Sequence, residues 1–346
     1  MATRYFRHTQ LPDATPAGRA THCVVKKEYH VTPTKNTSLD TLQKRSKLLK
    51  KVREFFWQEN FQEVETPLLA DEIIPELHID PVCIPDNDVP QWLQASPELH
   101  MKRLLAQGMQ SIFQVTRSFR GQERGTLHNP EFTILEWYRI GDSFQAGMDL
   151  LDRLCQYAAG SPPAKRTSYA EAFQEYIGLC PHTATAQELA HKTASLNIEL
   201  PFDSGLEDRD EWLNYLLVKK IEPHLGCDGP EILYDYPASQ AALAKVTQRD
   251  QGWQIAERFE MYWKSVELAN GYHELTDPGE LRKRLTKVNK RRLAEGRSAL
   301  PLPESLLSAM QSGLPACAGC AMGFDRLALV ALGETTLAAI RPFLND

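Results

Sequence analysis

Residues 117–138 read RSFRGQERGTLHNPEFTILEWY, and this stretch decides the fold. Two runs with strand-like alternation, IFQVTRSFR over 112–120 and EFTILEWYR over 131–139, flank a loop crowded with Arg, Gln, Glu, His and Asn. Successive side chains of a strand point to opposite faces. Gln114, Thr116, Ser118 and Arg120 therefore share one face, and Phe113, Val115, Arg117 and Phe119 the other. In the second run Phe132, Ile134, Glu136 and Tyr138 oppose Thr133, Leu135 and Trp137. A face carrying Gln, Thr, Ser, Arg, Glu and Tyr is too polar for a packed core. Two readings stand: a solvated face, the usual cause of alternation, or a ligand-binding floor. Solvated faces favour Lys and Glu over Phe132 and Tyr138 set around one Arg and one Glu.

The residue types specify a chemistry. The Arg120 guanidinium is a fork matched to phosphate oxygens. His128 and Asn129 in the loop reach further phosphate oxygens, Phe132 offers a flat surface to a purine, and Glu136 with Tyr138 can orient an ammonium group. Downstream, SVELANGYHEL completes a spacing of seven between Glu260, Glu267 and Glu274, with Asn270 among them. Carboxylate oxygens of this kind suit Mg²⁺ beside nucleotide phosphates. A solvated element edge is the competing reading. GFDRLALV then places Gly323 and Arg326 on a turn entering an apolar helix, where backbone and guanidinium can approach a phosphate.

Working outward, Ser38 is positioned to cap a helix whose apolar stripe is Leu42, Leu48, Leu49, Val52, Phe55 and Phe56. Val64 and Thr66 predict a short strand that Pro67 ends. EILYDYP and RFEMYWKSVELA read as further strands, and residues 143–225 read as mostly helical. Strands, then helices, then strands again predict an α+β domain over 39–346, with an antiparallel sheet flanked by helices and a helical insertion at 143–225. Residues 1–38 carry six basic against two acidic side chains without periodicity, and read as a flexible basic extension.

Composition narrows the function. The net charge of −6 disfavours a protein that grips long nucleic acid, because phosphate contacts dominate that affinity. No apolar run is long enough to span a bilayer, and the N-terminal residues do not read as a secretory signal. Seven cysteines, an odd number scattered along 346 residues, fit reduced thiols in a cytoplasm. Cys317 and Cys320 form a C-x-x-C without a second ligand pair, and read as packing thiols.

From about residue 40 onward the chain resembles the catalytic domain of class II aminoacyl-tRNA synthetases, in the lysyl branch. VETPLL is similar to motif 1, whose Pro, here Pro67, lies at a homodimer interface. SFRGQERGTLHNPEFTILEWY is similar to motif 2, and GFDRLALVALG to motif 3. Within that branch SPELHMKRLL, YPASQAALA and VELANGYHELTD resemble the lysyl-tRNA synthetase paralogues that ligate (R)-β-lysine or lysine to elongation factor P. Ser96 stands where the synthetases carry Ala, and Ala321 where they carry Gly. Too few residues precede the domain for the anticodon-reading barrel of the bacterial synthetases, which argues against tRNA as acceptor.

The resemblance implies a homodimeric, ATP- and Mg²⁺-dependent enzyme acting through an aminoacyl-adenylate. It implies catalytic roles for Arg120 and Arg326. ATP would be held by these two with Gln122, His128, Asn129, Phe132, Glu267, Leu268 and Gly323. The amino acid would be held by Ser96, Glu98, Glu136, Tyr138, Asn270, Glu274 and Ala321, and the metal by Glu260 and Glu267. Motif 2 departs from the family at Gln122, which replaces the Glu that recognises adenine, with Glu123 one place later. A synthetase-like enzyme charging tRNA or a small molecule, and a silent paralogue acting as a binding subunit, remain the alternatives.

Overall fold

The computed structural model describes residues 37–85, 90–199, 208–250 and 252–344. All but the last two residues of the 1–38 extension lie outside them. The first helix, α1 (Leu39–Gln58), begins as expected, with Ser38 Oγ accepting from Thr41 N at 3.0 Å. Its Leu48, Val52, Phe55 and Phe56 are buried, the spacing of one helical face.

The strand expected at Val64 and Thr66 lies earlier, as β1 (Gln62–Glu63), and β2 (Leu69–Ala70) follows Pro67. Val64 N still donates to Phe113 O at 2.9 Å, so the chain leaves the ladder there, before the proline that has no N–H to give. β2 joins β3 (Val82–Ile84) and β4 (Gln91–Leu93) in a three-stranded sheet ordered β2-β4-β3. Then come α2 (Glu98–Ala106), β5 (Ser111–Phe119), β6 (Glu131–Ile140) and α3 (Phe144–Ala159). β7 (Lys165–Ser168), α4 (Tyr169–Tyr176), α5 (Ala186–Ser195) and α6 (Arg209–Leu216) precede β8 (Glu231–Pro237) and β9 (Val246–Gln248). The chain continues through β10 (Gln254–Trp263), β11 (Val266–His273), α7 (Pro278–Ala294) and α8 (Glu304–Gly313). It closes with β12 (Cys317–Gly323), α9 (Phe324–Ala331) and α10 (Leu337–Ile340).

The main sheet runs β1-β5-β6-β12-β11-β10-β8-β7, with β9 paired to β10. Its outer pairs β1–β5 and β7–β8 are parallel, and the intervening pairs are antiparallel. The architecture is the expected α+β one. Within 143–225, α3 packs into the main core through Met148, Leu151 and Leu154, and β7 is an edge strand of the main sheet. α4 and α6 build a second core with Leu233, Tyr236 and Tyr262.

One face of the sheet packs on α1, α3 and α9 through Phe113, Leu135, Trp137, Phe259 and Met322. Phe113, Leu135 and Trp137 are odd-numbered residues of the hairpin, so the alternation read from the sequence holds. The opposite face is covered at one end by the α4–α6 core and at the other by α2, α7 and α8, which pack on Ile112 and Tyr138. A polar strip lies between. Cys317 and Cys320 sit three apart on β12 and so point to opposite faces, one into each core, where they cannot converge on a common ligand.

Tight packing makes one testable statement about stability. A Cβ on Gly271 would lie 2.2 Å from the ring of Phe259, which is fully buried. Gly271→Ala is therefore expected to cost about 1–3 kcal/mol by overpacking. A urea midpoint lower than wild type at unchanged slope checks it, and an unshifted midpoint contradicts it.

Candidate active site

Cross-strand pairing builds the site's floor from residues remote in sequence. Gln114, Glu136, Ala321, Asn270 and Glu260 are successive partners across β5, β6, β12, β11 and β10. The next row is Ile112, Tyr138, Gly319, Tyr272 and Arg258. Directly opposed residues share a face. The central strand contributes only Ala321 and Gly319, so the floor has a groove between larger flanking side chains. Gly319 is required by its neighbours: a Cβ there would lie 2.3 Å from the Tyr138 ring and 2.5 Å from Glu274 Oε1.

Glu267 reaches this face through an irregularity. It is three residues from Asn270, and strict alternation would point the two apart. The register shifts between Met261 and Tyr262, leaving Leu268 as the extra residue. Glu267 thus pairs with Tyr262 on the polar face, while Leu268 and Ala269 both enter the core. Leu268, expected among the ATP contacts, buries its side chain completely in that core, so only its backbone could meet a ligand.

The hairpin loop and the start of α9 meet at one end of the floor. Arg120 is 4% exposed, its guanidinium carbon 5.0 Å from the centre of the Phe132 ring. Asn129 Nδ2 donates to Glu131 O at 2.7 Å and holds the loop's return. Arg326 donates to Glu267 O at 2.9 Å and to His128 Nε2 at 2.6 Å. An Arg only donates, so Nε2 accepts and the imidazole is neutral. Burial, then Arg326 and Arg120, push the His128 pKa down to about 4. Gly323 lines the same recess as Arg120, Phe132 and Arg326.

Two features at this end were missed in the sequence. Gln122 has a left-handed φ of 64° and is exposed, outside the recess in which it was expected. The turn brings in Glu123 instead, 7% exposed, with Oε1 3.9 Å from Arg120. The signal was present as the second acidic candidate after Arg120, but alternation does not extend through a left-handed turn. The other feature is Asp325, 3% exposed, which accepts from Arg45 at 2.6 Å and from Thr133 N at 2.9 Å. It ties the start of α9 to α1 and β6, and so fixes where Arg326 begins.

At the other end, carboxylates gather. Glu136 accepts from Ser96 Oγ and from Tyr138 OH, both at 2.6 Å. Ser96 Oγ also accepts from Glu98 N at 3.1 Å, so one hydroxyl positions two acids. Burial, then the nearby Glu98, push the Glu136 pKa up to about 7. Glu274, 2% exposed, is pushed up to about 8, mainly by burial, against the opposing pull of Lys102. Lys102 is the residue here that sequence reasoning missed. Its Nζ lies 2.5 Å from Glu98 Oε1 and 2.6 Å from Glu274 Oε2. Among the described residues neither Glu274 Oε1 nor Asn270 Oδ1 has a hydrogen-bond partner, and Asn270 Nδ2 donates to Tyr272 OH at 2.9 Å.

The acids expected to hold a metal share the face but differ in availability. Glu267 Oε1 is buried without a hydrogen-bond partner among the described residues, and burial and Glu260 raise its pKa. Glu260 has both oxygens engaged, Oε1 by Arg258 and Oε2 by Tyr236 at 2.5 Å and Tyr262 at 2.6 Å. Among the described residues no three His, Cys, Asp or Glu side chains are grouped to hold a metal by themselves. The donor set fits an ion that draws most of its ligands from phosphate and water.

Comparison with known proteins agrees with this arrangement. The family model described as tRNA synthetases class II (D, K and N) matches residues 22–346. Proteins of Salmonella gallinarum, Salmonella dublin and Salmonella typhimurium, each named elongation factor P–(R)-β-lysine ligase, are 40% identical over 317 residues. The alignments cover 90% of this chain and 97% of each relative. A sheet floored by a motif 2 hairpin and closed by a motif 3 strand and helix, matched over this length, places the chain in the class II tRNA synthetase family of the Asp, Lys and Asn type.

Proposed function

We infer that the chain is an ATP-dependent, AMP-forming ligase that activates (R)-β-lysine or lysine and transfers it to a lysine side chain of elongation factor P. The observation that carries this reading is the trio of buried Glu136 and Glu274 with part-buried Glu98 at one end of a floor whose other end bears Arg120 and Arg326. A diamino acid presents two ammonium groups to such a trio and directs its carboxylate along the floor toward Arg120. The relatives' name supplies the acceptor and the β-amino isomer.

In the first step a carboxylate oxygen of the amino acid attacks the α-phosphorus of ATP, and pyrophosphate leaves. Arg120 compensates the negative charge gathering on the α-phosphoryl oxygens, and it is already held in place by Phe132 and Glu123 before ATP arrives. Arg326 faces the terminal phosphates, with neutral His128 orienting its fork. Phe132 offers its ring to adenine, and Glu123 takes the acceptor role expected of Gln122. Glu267 is the side chain suited to hold Mg²⁺, with Glu260 behind it as a negative neighbour. The ion's contribution is neutralisation of phosphate charge. In the second step the neutral acceptor amine attacks the carbonyl carbon of the mixed anhydride, an amide forms and AMP leaves. An ordinary Lys has a pKa of about 10.4, so the acceptor must first lose a proton.

Leu68, Leu69 and Ile84 beside Pro67 are exposed apolar residues on the small sheet, and we assign this face to a homodimer contact. Among the described residues no helix is long and apolar enough to cross a membrane, and unpaired thiols suit a reducing cytoplasm.

The decisive experiment is ATP–pyrophosphate exchange with lysine and both β-lysine enantiomers, followed by intact mass of elongation factor P. Exchange is expected with a lysine-type amino acid, highest with (R)-β-lysine, together with a mass gain of one residue on the factor. Exchange without that gain, accompanied by stable charging of tRNA, would replace this reading with the synthetase one. Absence of exchange with any diamino acid would indicate a silent paralogue.

A further inference from the structure

We propose that Lys102 is the specificity-determining counter-ion of the amino-acid pocket, setting its charge to match a substrate with two ammonium groups. The inference rests on the amino-acid site proposed above. Lys102 projects from α2 and is 3% exposed, with Nζ between Glu98 and Glu274 and over the Tyr138 ring at 5.9 Å. A buried ammonium with two carboxylates within ion-pair distance stays charged, and both carboxylates favour that form here.

The charges close together as a set. Glu98, Glu136 and Glu274 bring three negative charges when ionised, and Lys102 returns one positive charge. The deficit is two, the charge of the two ammonium groups of a lysine-type amino acid. Its carboxylate belongs to Arg120 at the far end. Tyr138 faces the set as a neutral donor, Glu76 in the loop before β3 lies between Glu98 and Arg120, where burial raises its pKa, and Cys317 lies beside Glu274.

Lys102 also orients. Drawn to Lys102 on one side, Glu274 keeps Oε1 turned toward the groove at Gly319, where it has no hydrogen-bond partner among the described residues. Glu98 is held through Oε1 in the same way, fixed further by its backbone bond to Ser96. A pocket with three acids and no internal cation would keep protons of its own at neutral pH, because like carboxylates close together cannot all ionise. Lys102 lowers the charge that a bound substrate must match, once the three acids are ionised, from three to two. It touches neither ATP nor the reacting carbonyl, so it is a positioning residue.

The test uses the full-length protein and steady-state exchange kinetics. Lys102→Met keeps the aliphatic stem and removes the charge. Its KM for the diamino acid is expected to rise at least tenfold at neutral pH, with KM for ATP within threefold of wild type. The double variant Lys102→Met with Glu274→Gln restores the net charge, and is expected to bind the diamino acid better than Lys102→Met alone. That is a strongly non-additive cycle of the kind contacting residues show. Additive losses, or a Lys102→Met KM within twofold of wild type, would overturn the proposal. Unchanged KM for ATP separates this from misfolding, and a wild-type enzyme inactive with every diamino acid would sink the functional reading instead.

Discussion

Arg120→Ala is expected to lower the rate of adenylate formation by about 10²–10³-fold, the usual cost of removing one preorganised donor from a developing charge. The residue is buried, it stacks on Phe132, and it lies beside Glu123, so its position is set before ATP binds. Preorganisation places the loss in kcat of the exchange reaction more than in KM for the amino acid, which is bound at the other end of the floor. Arg120→Lys keeps the charge without the fork, and should recover only part of the rate. Single-turnover formation of the adenylate measures the step directly. A rate within tenfold of wild type for the Ala variant, with thermal midpoint preserved, would remove Arg120 from the catalytic role.

The second large effect is on the amino acid. Glu274→Gln is expected to raise KM for the diamino acid by roughly 10–100-fold, the range for losing one charge-assisted hydrogen bond in a dry site. In the wild type, Glu136 near 7 and Glu274 near 8 must both be ionised to accept ammonium protons. The free enzyme holds these protons increasingly as pH falls through 8 and then 7, so KM should rise toward acid. Glu274→Gln should abolish the step near 8 and leave the one near 7. A KM flat between pH 6 and 9 in the wild type would contradict the assignment.

The same shifts carry a sign for stability. Both carboxyls have folded pKa values above the ordinary 4.5, so between these limits the folded state binds more protons than the unfolded one. Their contribution to stability is therefore lost as pH rises through 7 and 8. A bound diamino acid should restore it at alkaline pH.

The hairpin's faces were legible because strand alternation is local, and the pairing of Gln114 with Glu136 and of Ile112 with Tyr138 follows from it. Three things were not legible. The bulge at Leu268 changes parity within one strand, and nothing in VELANG marks where an extra residue is accommodated. Gln122 was read as inward by motif position, whereas its left-handed backbone turns it out and Glu123 in. Lys102, one helical turn after Glu98, looks like a routine surface pair at i, i+4, and only the arrival of Glu274 from β11's end makes it a buried one. Glu260, expected as a metal ligand, lies on the site's face, and its engagement by Tyr236 depends on β8 lying beside β10, while Arg258 and Tyr262 reach it from two residues away on its own strand.

Strand β12 has a consequence for how the molecule is made. It is the last strand in the chain, yet it lies in the middle of the sheet between β6 and β11. During synthesis the two halves of the sheet must therefore wait with unsatisfied edges, β6 on one side and β11 on the other, until residues 317–323 emerge and join them. Exposed edges of this kind template wrong pairing. A chain interrupted before Cys317 would lack the strand that joins the two halves of the site and the helix that carries Arg326, and should be both inactive and prone to aggregate. Activity would thus appear all at once, with the insertion of one small-residue strand.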